Sequence, residues 1–434
     1  MWQPLRSLTP GLAALLLVAA AGATYATDDP INECLTGSWD GGRDRWHQAG
    51  VAFNLHYTAE PMTNVSGGEE RGGTYADNIG LDFSFDLDRL IGLGGTSLLA
   101  TLSQRNGDSL SADYIAPSAS GNTFTVQELY GGQTFKVANV QLTTRLLADR
   151  LELAYGRLVA NDDFLRSPLY CQFVNNSFCG SPKPVFLQDP FTFSAYPTAQ
   201  WGARARYDSE AGDWTFLAAV YDGDPELKGG DPTDPGHNRH GTNWKLGDNG
   251  AVFAGEVQYH RHRGSRESLP SVYKLGGYYM TGEFRDIGRT DNARVQDNAM
   301  VWLLADQMLY RERAGADAGL SWFGALVWSL ADDVNAIDRY FNTGLVYRGL
   351  FAARPLDTTG IAVTSGWYSD ELNHARRAEG KSEQDYEAVI ELNHKLALGH
   401  GVSLQPDIQY ILRPGGTGDI EDALAIGARV AIQF

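Results

Sequence analysis

The segment Ile79 to Asp88, IGLDFSFDLD, admits few folds. On an extended chain successive side chains point to opposite faces, so Ile79, Leu81, Phe83, Phe85 and Leu87 share one face and Asp82, Ser84, Asp86 and Asp88 share the other. Carboxylates buried in a dry core without partners are prohibitively costly. One face of this strand therefore meets an apolar medium and the other meets water. The chain closes on the same pattern in ALAIGARVAIQF, with Leu424, Ile426, Ala428, Val430, Ile432 and Phe434 against Ala423, Ala425, Gly427, Arg429, Ala431 and Gln433. A soluble sandwich or a lipocalin-like barrel satisfies either strand alone, so the rest of the chain has to decide.

Alternating segments recur at 51–60, 79–88, 96–105, 138–147, 150–158, 199–208, 212–222, 251–260, 271–283, 299–310, 317–331, 339–349, 359–369, 385–396, 401–412 and 422–434, sixteen in all. Connections after even-numbered segments are mostly short, such as Ala148-Asp149 and Ser209-Glu210-Ala211. Those after odd-numbered segments run long, including 106–137, 159–198 and 223–250. Short turns at one rim and long loops at the other are the mark of an outer-membrane barrel, and a sandwich has no reason to sort loop lengths by parity. No apolar run after the first thirty residues approaches the ~20 needed for a membrane helix, but a membrane strand needs only ~10 with half of them facing lipid. Tyr57, Trp214, Tyr259, Trp322, Trp328 and Tyr410 lie on the oily faces, where rings form interfacial girdles. An open sheet edge in lipid leaves backbone groups unpaired, so the last strand must pair with the first. The expected fold is all-β: one 16-stranded antiparallel transmembrane β-barrel with short periplasmic turns, long extracellular loops and a short N-terminal helical segment.

Residues 1–26 read as an export signal, with Arg6 before the apolar stretch Gly11–Ala20 and small residues suited to cleavage after Ala23 or Ala26. Residues 27–50 form an N-terminal periplasmic segment, in which Thr36 or Ser38 is expected to cap a helix through Gln48 and to bring Arg43, Arg45 and Trp46 to the periplasmic mouth. Residues 51–434 form the barrel. In an oxidising compartment the close pair Cys171 and Cys179, in CQFVNNSFCG, can close a short loop and leave Cys34 unpaired. A net charge of −18 without a basic patch argues against nucleic acid as a partner.

Four stretches resemble the carbohydrate-selective porins of the OprB type: LTGSWDGGRDRWHQAGVAFNLHYTAEPMTNVSGG, CQFVNNSFCG, NTGLVYRGLFAARPLDTTGIAV and QPDIQYILRPGGTGDIEDALAIGARVAIQF. They run in order from about Leu35 to Phe434. The resemblance implies a sixteen-stranded barrel in the Gram-negative outer membrane, narrowed by an infolded loop, through which sugars such as glucose diffuse passively. Outer-membrane lipid and lipopolysaccharide are then its surroundings. The terminal Phe434 resembles the end of outer-membrane barrel proteins that the assembly machinery recognises. Monomer and homotrimer remain open, because subunit contacts on the lipid face look like lipid contacts.

The loop 159–198 is the expected constriction, too long for a passive connection and rich in rings. Sugar rings lay C–H faces on aromatics and use each hydroxyl as donor and acceptor, which points to Phe178 and Phe186 for stacking. Inward parity selects Arg105, Arg145, Arg204, Arg206 and Arg348 as donors, with Arg157 at a strand end entering the loop. Facing Glu128, Asp162 or Asp163, such arginines set up a transverse field across the pore. Each has a plainer role available: an inward arginine can hold a loop to a wall carboxylate, and a loop Phe can fill the loop's own core. A general or anion-preferring porin for small hydrophilic solutes is the alternative, since arginines also attract anions.

Catalysis is not expected, and no cofactor or metal is. EGKS at 379–382 lacks the earlier glycine of a phosphate loop. The histidines of HNRH at 237–240, with His260 and His262, lack a third ligand at defined spacing. DGDPELKGGDPTD in the 223–250 loop carries only part of a calcium pattern.

Overall fold

The computed structural model describes residues 34–119, 121–131, 133–179, 198–224, 238–265 and 267–434. The expected export signal with its cleavage site, Phe186, and most of the partial calcium pattern lie outside the described residues.

Sixteen antiparallel strands close into a barrel in sequence order, with the last beside the first. They are β1 (Val51–Ser66), β2 (Gly72–Asp86), β3 (Thr96–Gly107), β4 (Phe135–Leu146), β5 (Leu151–Leu158), β6 (Gln200–Asp208), β7 (Trp214–Asp222) and β8 (Ala251–Arg261). The second half comprises β9 (Ser271–Arg285), β10 (Arg294–Arg311), β11 (Gly319–Ser329), β12 (Ile337–Arg348), β13 (Thr358–Tyr368), β14 (Tyr386–Gly399), β15 (Val402–Leu412) and β16 (Ala423–Gln433). Every alternating segment is a strand, and none is missing. The differences lie at the ends. Leu87, taken as the last outward residue of the second strand, instead opens a short helix α2 (Leu87–Ile91), because the Asp86 carboxylate accepts from the backbone N–H of Asp88 and Arg89. The N-terminal helix α1 (Gly42–Gln48) starts later than expected and has no side-chain cap. Its entry is Gly41 at φ 77°, not Thr36 or Ser38.

Parity decides what each residue meets. On β1 the even-numbered residues face inward, where Glu60 and Met62 are buried. On the odd positions Phe53 and Tyr57 face out. The aromatics expected in girdles are outward, with Trp214, Tyr259 and Tyr410 all exposed. The turn between β14 and β15 runs through His400 at φ 51° and Gly401 at φ 70°, the paired left-handed geometry of a tight hairpin. The seam is closed by register pairs from His56 with Gln433 to Ser66 with Leu424.

Among inward residues, large apolar side chains are concentrated on β9 to β12, including Tyr278, Met300, Trp302, Phe323 and Tyr340, all buried, with Asn298, Asp306 and Asn342 among them. Trp302 lies where a side chain at Gly276 would be, 2.5 Å from that position, and its indole N–H donates to Glu256 at 2.8 Å. The ring is pinned and cannot retreat. Gly276→Ala should therefore cost about 1–3 kcal/mol by overpacking, read as a lower temperature for loss of the folded, fast-migrating band in heat-modifiability gels.

Candidate pore constriction

Two loops enter the barrel and cover the apolar part of its inner wall. The first leaves β3 and is described over 108–119, 121–131 and 133–134, and the second leaves β5 and is described over 159–179. Aromatic side chains of the second face those of the wall: Tyr170, Phe173 and Phe178 surround Phe323, and Phe164 meets Tyr221 edge-on. From the first loop, Phe124 packs on Tyr340.

Burying loop backbone inside a barrel leaves N–H groups that must find acceptors. Carboxylates of the wall supply them. Glu387 on β14 accepts from Phe124 at 2.6 Å and Thr123 at 2.9 Å. Glu391, two inward positions further along, accepts from Val174 at 2.6 Å and Asn175 at 3.0 Å. Glu256 on β8 accepts from Leu165 at 3.0 Å, and Glu60 on β1 from Leu129 at 3.1 Å. The loops also bind each other, Glu128 N–H to Val174 carbonyl and Asn176 N–H to Thr125 carbonyl. The disulfide Cys171–Cys179 closes the second loop's inner turn as expected.

Beside these loops, charged groups form two four-membered chains. In one, Arg145 Nε meets Glu152 at 3.2 Å, Glu152 meets Arg204 at 2.6 Å, and Arg204 meets Asp163 of the second loop at 3.1 Å. In the other, Arg105 approaches Glu128 of the first loop at 3.9 Å, Glu128 meets Arg429 at 3.2 Å, and Arg429 meets Glu60 at 2.6 Å. Arg429 also donates to the carbonyls of Cys171 and Phe173, at 3.3 and 3.2 Å. One guanidinium thus holds both loops to the last strand.

The expected site residues fall into three groups. Arg105, Glu128, Arg145, Asp163 and Arg204 belong to the ion-paired chains, and Asp162 adjoins Asp163. Arg206 and Arg348 face inward but lie toward the periplasmic end, Arg206 pairing with Asp208 at 3.4 Å and Arg348 opposite Gly319. Arg157 and Phe178 do not line the lumen. Arg157, at the end of β5, is buried and donates to the carbonyls of Ala199 and Asn243. Phe178 is 0% exposed, packed between Phe173 and Phe323, so it builds the loop's own core. Arg429 and Glu60 were missed, although Arg429 stands on the inward face of the terminal segment and Glu60 on that of the first.

Asp162 sits in the second loop. Burial there, with Asp163 and Asp82 nearby, pushes its carboxyl up to about 7 against the pull of Arg166 and Arg204. It is neutral below that pH and adds negative charge above it.

A family model described as carbohydrate-selective porin, OprB family, matches residues 70–434. Porin B of Pseudomonas aeruginosa is 30% identical over 98% of this chain and 96% of its own. A protein described as putative porin QuiX, of Acinetobacter baylyi, is 25% identical over 92% of this chain and 93% of its own. The high-pH structure of Pseudomonas putida OprB superposes with a TM-score of 0.82 at 25% identity, covering 94% of this chain and all of that one.

Two outcomes follow from this geometry. Glu391→Gln replaces a charged acceptor of two loop N–H groups by a neutral one, and charge-assisted bonds of this kind contribute about 1.5–3 kcal/mol. The loop should loosen, so single-channel conductance should rise and become noisier while the barrel keeps its heat-modifiable mobility. Raising the pH through about 7 ionises Asp162, so reversal potentials in a salt gradient should shift toward cation preference. In Asp162→Asn that shift should be lost.

Proposed function

Because the chain belongs to the carbohydrate-selective porins of the OprB family, we propose that the two ion-paired chains beside its infolded loops make it selective for neutral monosaccharides, of which glucose is the type. The family and the fold are those of an outer-membrane diffusion channel, a multi-pass β-barrel, not of an enzyme.

The carrying observation is charge balance. Arg105, Arg145, Arg204 and Arg429 are interlocked with Glu60, Glu128, Glu152 and Asp163, four cations with four anions. Arginines bound in this way lend little net attraction to an anion, which disfavours the anion-preferring alternative. They still offer donors beside acceptors at short spacing, and a sugar hydroxyl uses one of each. Arg145, Glu128, Glu152 and Asp163 keep 12–23% of their side-chain surface exposed, enough to touch a passing solute. Such contacts are shallow, as a conduit needs, since a tightly held solute does not leave.

The rest of the reading belongs to the same proposal. The export signal over 1–26 delivers the chain. Phospholipid and lipopolysaccharide cover the outward belt. Phe434 closes the outward face of β16, where the assembly machinery reads it, and the protein works as a monomer or homotrimer. The constriction is the 159–198 loop, joined by the 108–134 loop that the resemblance did not single out.

Liposome swelling with glucose, a neutral polyol and a dicarboxylate of similar size tests selectivity: glucose should enter fastest, and a leading dicarboxylate would overturn the reading. Arg204→Ala leaves Glu152 and Asp163 short of one cation. It should weaken sugar block of ion current and shift the reversal potential toward cations, and adding Asp163→Asn should reverse the potential shift but not restore the block. Unchanged block in Arg204→Ala removes that residue from recognition.

A further inference from the structure

Helix α1 lies at the end of the barrel where β1 begins and β16 ends. It lies against the outside of the wall. Phe53 is an outward residue of β1, and the rings of Trp39 and Trp46 pack on it at 5.2 and 5.7 Å between centroids. The Arg43 guanidinium lies 5.3 Å from the Trp39 ring and 5.0 Å from Phe53, and donates to the carbonyl of Phe434 at 2.7 Å. The Leu35 N–H donates to Gln433 at 2.8 Å. This segment is therefore tied across β1 and β16, the two strands whose pairing closes the ring.

From this placement we infer that the N-terminal segment is a clasp over the closing seam that docks into the phospholipid headgroup layer of the periplasmic leaflet. Both indoles remain half exposed, Trp39 at 47% and Trp46 at 54%. Helix α2 follows β2 at the same rim and presents Ile91 at 73% exposure, and the two helices are joined by Arg89 donating to the His47 carbonyl at 3.2 Å. The patch continues the lipid-facing belt, because Phe53 lies directly opposite Phe83, another outward ring. Indole rings are favoured where hydrocarbon gives way to headgroups. Trp39 adopts φ 53°, a backbone conformation unfavourable for so bulky a residue, and Asp40 follows at φ 51°. The indole meets the outward Phe53 ring at an interplanar angle of 34°. A second copy of the chain is a poor occupant, since a stable interface needs ~800 Å² from each partner and this patch offers only a few side chains.

The test uses the mature protein reconstituted in phosphatidylcholine vesicles brominated either near the headgroup or near the chain ends. The emission difference between wild type and W39F/W46F isolates the two indoles, and phenylalanine retains ring packing. Shallow bromines should abolish most of that difference and deep bromines should leave most of it. Equal brightness in both vesicles would place the indoles in water and overturn the inference. Quenching that appears only when the protein is diluted in lipid would also overturn it, in favour of a second copy. Should the double variant fail to fold, W46F alone gives the same comparison, since Trp46 makes no contact with Arg43 of the kind Trp39 does.

Discussion

Backbone amides buried between the infolded loops and the barrel wall have no water to fall back on, and that constraint organises this protein. Two loops cross the interior, and their N–H groups are taken up by carboxylates on inward positions of strands: Glu60, Glu256, Glu387 and Glu391. A carboxylate offers about four acceptor sites and no donor, so one residue satisfies two amides and a further partner. Glu387 also accepts from Gly415 at 2.6 Å and so fixes a second extracellular segment. Inward acids that look like channel lining in the sequence are in large part the fastenings of the constriction.

Fastening and selectivity use the same chemistry in different surroundings. Where a carboxylate meets loop amides it is sealed, as Glu60 is at 0% exposure. Where it meets arginine at the edge of the loops, as Glu152 does, part of it stays open to the lumen. Salt bridges this enclosed contribute little net stability, because desolvation offsets attraction, while removing one partner strands a charge. Their value here is geometric: guanidinium forks held on both sides keep donors in fixed places, and neutral solutes sense the places more than the charge.

Strand positions were legible because the membrane enforces a period of two on each segment, and loop lengths sorted by parity gave the topology. Arg105, Arg145 and Arg204 followed from inward parity alone. Arg157, read as a strand-end residue entering the loop, is instead held by the carbonyls of Ala199 and Asn243, contacts across the chain that a single sequence does not show. Phe178 was misplaced for a different reason. Its role depends on what the loop packs against, and the signal for that was present: Tyr278, Trp302, Phe323 and Tyr340 stand on inward faces, where a water-filled bore does not want them. A cluster of large apolar rings on the inner face of four consecutive strands requires a cover, and the cover is the loop whose rings were assigned to sugar. Arg429 was readable from the terminal strand, but its meaning lies in contacts with residues more than 250 positions away.

The position of Arg429 on the last strand bears on how the chain matures. Its partners are on the first strand and on both crossing loops, so the final tie on the constriction forms only when the ring seals. A chain halted before β16 lacks the seal and that tie together. A chain cut short before β16 thus yields an unclosed ring rather than a sealed one with a loosened bore.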